Sequence, residues 1–145
     1  MTEVFFYHLE RSAPEEVLPS LLEKTLARGW RALVKLGSRE ELDAVDELLW
    51  SYRDDSFLPH GESGPDHPVL LGLTDTAENG AEAAFLMPGV TMPPQAMRGF
   101  SRCVLMFRPG GADGARAQWR ILREEGFDVT YWRQEPDGRW AKAGE

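Results

Sequence analysis

The chain has 145 residues, of which 42% are hydrophobic and 28% charged, a composition typical of one globular domain. Its formal net charge of -8 argues against binding nucleic acid over the whole surface, because phosphate recognition needs dense lysine and arginine. No apolar run approaches the roughly 20 residues of a membrane-spanning helix, and the start of the chain lacks the features of a secretory signal. A single cysteine, Cys103, excludes an internal disulfide, so a cytoplasmic protein is expected.

The first fifty residues alternate between strand and helix patterns. Apolar runs rich in β-branched and aromatic side chains predict strands at residues 3–9 and 30–36. Apolar residues at helical spacing follow each strand and predict one helix ending near residue 29 and another ending near residue 50. The start of each helix carries a capping-box pattern, formed by Ser12 with Glu15 and by Ser38 with Glu41.

Two irregular stretches interrupt the middle of the chain, between Trp50 and Pro68 and at residues 89–101, where periodicity stops and turn-forming residues accumulate. Short apolar runs beside these stretches predict three further strands, at residues 69–73, 83–87 and 102–107.

A Gly-rich turn at residues 109–111 leads into the last predicted helix, which begins at residue 112 and gives way to a strand at residue 127. Asp113 can cap its first turn, and Gly126 can end it in a left-handed conformation. A strand then runs to residue 133, and a polar tail begins at about residue 134. Because strand–helix–strand units recur at both ends, the sequence predicts one α/β domain over residues 1–145 with a largely parallel sheet.

The last helix has a basic face that stands out in an acidic chain. Arg116, Arg120 and Arg123 are spaced four and three residues apart and therefore share one side. Trp119 lies within about sixty degrees of Arg116 and of Arg123 on the helical wheel. Guanidinium groups beside an aromatic wall suit an acidic peptide that ends in a hydrophobic residue and a free carboxylate. The alternative is a solvated face with no ligand.

Other clusters are weaker candidates for chemistry. The glycines at residues 110–114 do not have Walker spacing, and Asp113 would repel a phosphate, so a tight turn is the better interpretation. Cys103 falls inside an apolar strand, where a thiol is usually inert. Four side chains in one loop could in principle hold a metal, but their spacing is not a recognised ligand pattern: His60, Glu62, Asp66 and His67. The sequence predicts neither a metal site, nor a cofactor, nor an enzyme.

The loop after Trp50 is too apolar for a passive linker, since it also carries Phe57 and Leu58. These side chains either fold back over the edge of the sheet or form a patch that binds a partner.

Five motifs follow one another along the chain: VFFYH at residues 4–8, DELLW at 46–50, DSFLPHG at 55–61, HPV at 67–69 and RxxWRxxRxxGF at 116–127. Together they resemble the chi subunit of bacterial DNA polymerase III, in order and over nearly the whole chain. The resemblance implies a three-layer α/β/α fold with a mostly parallel sheet, related to nucleotide-binding folds but lacking a P-loop and nucleotide hydrolysis.

The resemblance also implies an accessory role in the clamp-loader complex of the replicase. Chi subunits link the polymerase to single-stranded DNA-binding protein by gripping its acidic, Phe-terminated C-terminal tail, so that nucleic acid is reached only indirectly. The positions that match the tail-binding residues are Arg116, Trp119, Arg120 and Arg123. The positions that match the surface for a second partner, the psi subunit, are Trp50 and Phe57, with Leu58 adjacent.

Two alternatives use the same basic helix differently. A small α/β enzyme or binding module could use the arginines as clamps for a phosphorylated or nucleotide ligand, but it would need a base or a metal nearby. Direct binding of single-stranded DNA through Trp119 and the arginines is the other alternative, and the net acidity disfavours it.

Overall fold

The computed structural model describes residues 2–10, 12–51, 59–137 and 139–142. In these ranges the strands, in chain order, are β1 Glu3–His8, β2 Ala32–Lys35, β3 His60–Gly61, β4 Val69–Gly72, β5 Ala83–Leu86, β6 Arg102–Phe107, β7 Asp128–Gln134 and β8 Trp140–Lys142. The helices are α1 Pro14–Ala27, α2 Arg39–Ser51, α3 Pro94–Met97 and α4 Ala112–Glu124, and a short 3-10 helix spans Pro109–Gly111.

The described strands form one sheet in the order β3-β4-β2-β5-β6-β1-β7-β8. Every pairing is parallel except that between β7 and β8. β1 lies inside the sheet, where Phe6 is opposite Leu105 of β6 on one side and Tyr131 of β7 on the other. Strands flanked on both sides and covered on both faces are apolar throughout, which is why residues 3–8 do not alternate cleanly.

Two apolar clusters lie on the two faces of the sheet. α1 and α2 pack over the first cluster through residues such as Leu18, Leu22 and Leu49. α3 and α4 pack over the second through Met97 and Leu122. The arrangement is a three-layer α/β/α fold with a mostly parallel sheet, and it confirms the predicted fold class.

The start of the first helix differs from the prediction. α1 begins at Pro14, and Glu16 Oε1 accepts a hydrogen bond from the Ala13 N–H at 3.0 Å. Ser12 instead accepts from Gln134 Nε2 at 2.9 Å and donates its own N–H to Gln134 Oε1 at 3.1 Å. The predicted capping role of Ser12 is therefore wrong, because a distant strand supplies its partner.

The second predicted capping box is confirmed in its main bond. Ser38 Oγ accepts from the Glu41 N–H at 3.2 Å, ahead of α2. Glu41 Oε2 reaches back one residue further than expected and accepts from the Gly37 N–H at 3.1 Å.

Three segments for which no helix or strand was predicted contain regular structure. The stretch at residues 89–101 includes α3, whose Met97 is fully buried. The stretch between Trp50 and Pro68 includes β3, which pairs with β4 at the edge of the sheet. Residues 140–142 of the polar tail form β8, which pairs antiparallel with the end of β7. Within the described part of the chain, no helix is both long and apolar enough to cross a membrane.

Candidate functional site

A groove of about 750 Å³ runs between helix α4 and strand β7. α4 contributes Arg116, Trp119 and Arg120 to its wall, and β7 contributes every residue from Asp128 to Tyr131, followed by Arg133. Successive strand residues point to opposite faces, so a run of four lining residues means that the groove also meets the edge of the strand.

Helix periodicity explains which side chains α4 presents to the groove. Ala115 and Leu122 are buried against the sheet. Arg116 and Arg120 are exposed, and Trp119 is partly buried against the second apolar cluster. The predicted grouping of an indole with basic side chains on this helix is therefore present in the folded chain.

The two ends of α4 differ in how they match the prediction. The helix ends before Gly126, whose φ of +91° is the left-handed conformation expected for it. At the other end the residue before the helix is Gly111, and no side chain caps it, so the predicted cap by Asp113 is wrong. Asp113 lies within the first turn, with Oδ1 3.7 Å from Arg116 Nη1. The Gly-rich link forms the short 3-10 helix, and Ala112 lines the groove where α4 begins.

Arg123 takes a different position from the other two arginines. It does not line the groove, but its guanidinium carbon lies 4.9 Å from the centre of the Trp119 ring. Three of the four residues predicted for tail binding thus line one groove. The fourth, Arg123, lies over the indole of Trp119.

Behind Tyr131, which lines the groove, lies a stack of aromatic rings. Tyr131 stacks on Phe6 with a centroid distance of 5.9 Å, and Phe6 stacks in turn on Phe107 at 5.4 Å. Burial raises the pKa of Tyr131, Glu10 acts in the same direction, and Arg116 opposes them. The phenol therefore stays neutral at physiological pH and remains a hydrogen-bond donor.

His8 lies at the same end of the groove as Glu10. Its Nδ1 is 3.9 Å from Glu10 Oε1, and its Nε2 is buried with no hydrogen-bond partner among the described residues.

Most residues that line this groove were not predicted as site residues, among them Tyr131 and Arg133 of β7. The alternation of apolar and polar residues along 127–131 predicted a strand that contains Tyr131. It does not indicate which helix packs against that strand. Arg133 ended the predicted strand, where nothing in the sequence indicated which element it would face, and Lys142 lay in the polar tail, for which no strand was predicted.

Comparison with known proteins identifies the family. Residues 1–130 match the model of the DNA polymerase III chi subunit, HolC. The chain belongs to this family. A DNA polymerase III subunit chi from Pseudomonas aeruginosa is 29% identical over 137 residues, which cover 89% of this chain and 94% of that protein. The predicted resemblance is confirmed, and the chain is an accessory subunit of the replicative polymerase.

The second surface predicted for this chi-family chain is described only in part. Trp50, near the end of α2, is 54% exposed, and its ring centre lies 4.9 Å from that of His60. His60 Nε2 lies 2.8 Å from Asp46 Oδ1, and the His60 side chain is fully buried. Phe57 and Leu58 lie outside the described residues.

The loop considered for a metal holds its side chains in other contacts. Glu62 pairs with Arg39, and the His67 ring lies against Gly61. Across the described residues no three His, Cys, Asp or Glu side chains are grouped as a metal site would require. Burial raises the pKa of Cys103 to about 12, and its thiol donates to the Met97 carbonyl at 3.7 Å.

Proposed function

We propose that this chi-family chain is a non-catalytic adaptor that binds the acidic C-terminal tail of single-stranded DNA-binding protein and so connects it to the clamp-loader complex. The observation that supports the proposal most directly is the wall of the groove, where Arg116 and Arg120 stand on either side of the partly buried Trp119. A peptide with carboxylates and a terminal aromatic residue complements that wall in both charge and shape.

Each residue has a distinct role in this proposal. Arg120 pairs with the terminal carboxylate of the peptide, and Arg116 assists at the rim. Trp119 forms the wall that receives the terminal aromatic side chain. Arg123 adds positive charge and covers the indole. Charge-assisted hydrogen bonds of this kind contribute about 1.5–3 kcal/mol each when well formed.

The proposal is tested by fluorescence anisotropy with a labelled peptide that carries aspartates and ends in phenylalanine with a free carboxylate. Wild type is expected to bind saturably, and affinity is expected to fall as salt rises. Arg120→Glu is expected to bind at least tenfold more weakly, since it loses a charge-assisted bond and adds a repulsion. Arg139→Glu is the matched control, because Arg139 is exposed, pairs with Asp137 and does not line the groove.

Two results would reject tail binding: wild type shows no saturable binding, or Arg120→Glu binds as tightly as wild type. A thermal shift with nucleotide but none with the tail peptide would favour a nucleotide ligand instead. A gel shift with an oligonucleotide alone would favour direct binding of single-stranded DNA.

A second contact, with the psi subunit, is proposed for Trp50 together with Phe57 and Leu58. In its support, Trp50 is an exposed indole at the end of α2. Trp50→Ala is expected to lose co-purification with psi and to keep tail binding, whereas Trp119→Ala is expected to do the reverse. Loss of both activities in either variant would contradict two separate surfaces.

A further inference from the structure

A row of aromatic rings lies on the face of the sheet opposite α4. Phe5, Trp30 and Trp132 are partly buried and pack against the first apolar cluster, whereas Trp119 and Tyr131 pack against the second. Of the strands on this face, α1 packs mainly on β2, and α2 packs on β3 and β4. The rings on β1 and β7 therefore keep part of their surface accessible.

Two arginines flank the ring of Trp30 at one end of this row. The Arg28 Cζ lies 4.1 Å from the centre of the ring, and the Arg102 Cζ lies 5.3 Å from it. Arg28 is exposed and forms no ion pair with the described residues. Its guanidinium donors are therefore available to an anion from outside the chain.

The row continues from Arg102 across β1 and β7. The Arg102 Cζ lies 4.5 Å from the centre of the Phe5 ring, and that centre lies 6.0 Å from the centre of the Trp132 ring. Lys142 Nζ lies 5.8 Å from the Trp132 centre, at the far end. These contacts join six side chains into one series, the cation–aromatic strip: Arg28, Trp30, Arg102, Phe5, Trp132 and Lys142.

The cation–aromatic strip is locally basic, although the chain has a net charge of -8. Glu3 Oε2 accepts a hydrogen bond from Arg102 Nε at 2.9 Å, which helps to hold the guanidinium beside Phe5. Asp128 of β7 lies opposite Glu3 in the register of the sheet. The three cations of the strip thus outnumber the two carboxylates beside it, so the strip favours an anionic ligand.

Cations that alternate with aromatic rings suit single-stranded nucleic acid. The cations neutralise phosphates, while unpaired bases stack on aromatic rings and on guanidinium planes. An acidic peptide would use the cations but not the rings between them, and a duplex keeps its bases stacked inside. Since the chain belongs to a family of DNA polymerase subunits, the nucleic acid that fits this chemistry is single-stranded DNA.

We propose that the cation–aromatic strip binds a few nucleotides of single-stranded DNA directly. Arg28 and Lys142 contact phosphates at the two ends, and bases stack on the rings of Trp30 and Trp132. Because the strip lies on the face opposite α4, DNA bound there leaves Trp119 free. The strip therefore acts independently of the proposed tail binding.

The test is fluorescence anisotropy at low salt with a labelled oligothymidine of roughly 12 nucleotides and with a labelled duplex of the same length. Arg28→Gln removes a cation of the strip, and Trp30→Leu removes a ring but keeps an apolar side chain. Arg139→Gln is the matched charge control, because Arg139 is exposed and pairs with Asp137 away from the strip. Circular dichroism checks that each variant is folded.

Wild type is expected to bind the oligothymidine saturably and the duplex at least about fivefold more weakly, because stacking needs unpaired bases. Arg28→Gln should bind the oligothymidine about three- to fivefold more weakly, and its slope of log affinity against log salt should be smaller by about 0.7, as for one lost phosphate contact. Trp30→Leu should bind at least about fivefold more weakly with an unchanged slope, since it loses stacking and no charge. Arg139→Gln should match wild type.

Arg120→Glu separates the strip from the groove beside α4, since an oligonucleotide bound in either place would give the same gel shift. It is expected to keep oligothymidine binding, and Arg28→Gln is expected to keep tail-peptide binding. If Arg120→Glu loses the oligothymidine and Arg28→Gln does not, the DNA lies in the groove and the strip is rejected.

Three further results would reject the strip as a site for single-stranded DNA. Wild type shows no saturable binding of the oligothymidine, or it binds the duplex equally well, or an acidic peptide of equal charge displaces the oligothymidine as effectively as unlabelled DNA does. The last result would assign the strip to a protein segment. None of the three bears on tail binding, which the peptide titration decides separately.

Discussion

The guanidinium of Arg123 lies over the indole of Trp119, with 4.9 Å between the arginine Cζ and the ring centre. The two residues are four positions apart in α4, so helix geometry alone brings them together. The indole also borders the groove and the second apolar cluster. A ring confined in this way loses little entropy when a ligand packs against it, which favours tight binding.

Replacing Trp119 is therefore expected to weaken tail binding more than replacing its neighbour. Trp119→Ala should raise the Kd for the tail peptide at least tenfold, because central aromatic residues dominate such interfaces. Arg123→Ala should weaken binding less, since it acts on the ring and at a distance. Ile121→Ala is the control, as Ile121 is 54% exposed on the same helix and does not line the groove. Anisotropy titrations compare the three variants, and an unchanged Kd for Trp119→Ala would contradict the proposed wall.

The bond between Asp46 of α2 and His60 of β3 is expected to stabilise the contact between these two elements, beside Trp50. Asp46→Ala should lower the free energy of unfolding by about 1–3 kcal/mol, because a fully buried imidazole loses a 2.8 Å partner. Asp43→Ala removes another carboxylate of α2, one that pairs with the exposed Arg39 at 3.0 Å, and should have a much smaller effect because solvent screens such a pair. Urea unfolding measures the free energy of unfolding of both variants. Equal decreases would show that the Asp46–His60 bond stabilises the fold no more than the surface pair does.

Two glycines of similar openness are expected to respond to alanine in opposite ways. An added Cβ would meet nothing within 4 Å at Gly126 or at Gly114. Gly126 has a φ of +91°, so Gly126→Ala should destabilise the protein by about 1–2 kcal/mol through backbone strain. Gly114 lies inside α4, where alanine should stabilise by about 0.5–1 kcal/mol. Thermal unfolding measures both, and destabilisation by Gly114→Ala would contradict the helical backbone assigned there.

The buried thiol of Cys103 is expected to make stability depend on alkaline pH. Burial raises its pKa from the ordinary 9.0 to about 12, so the unfolded chain ionises at lower pH than the folded one. The contribution is fully present below pH 9 and falls by up to about 1.4 kcal/mol per pH unit as pH rises toward 12.

Cys103→Ala isolates that contribution, since all other titrating groups are shared with wild type. The variant should be less stable than wild type at pH 7.5 by about 1 kcal/mol, because the lost sulfur leaves a small cavity. The difference should shrink between pH 9 and pH 10.5. Urea unfolding at three pH values measures it, and a constant difference would show that the thiol ionises alike in both states.

The sequence alone determined the local features of this protein. The strand Arg102–Phe107 has its predicted bounds, and Gly126 ends α4 in the predicted conformation. The shared side of Arg116 and Arg120, with Trp119 beside them, also followed from spacing. Helix and strand periodicities, like the φ preference of glycine, depend on neighbours close in sequence, so they can be read without knowing the fold.

Tertiary structure alone decided which distant segments meet. Ser12 pairs with Gln134, 122 positions away, and so does not cap α1. The tail joins the sheet because Trp140 packs on Tyr7 of β1. The groove itself exists because α4 packs beside β7, so that residues of the helix and of the strand, Arg133 among them, line one surface. Such contacts depend on the order of strands across the sheet, and no short-range pattern in the sequence carries that order.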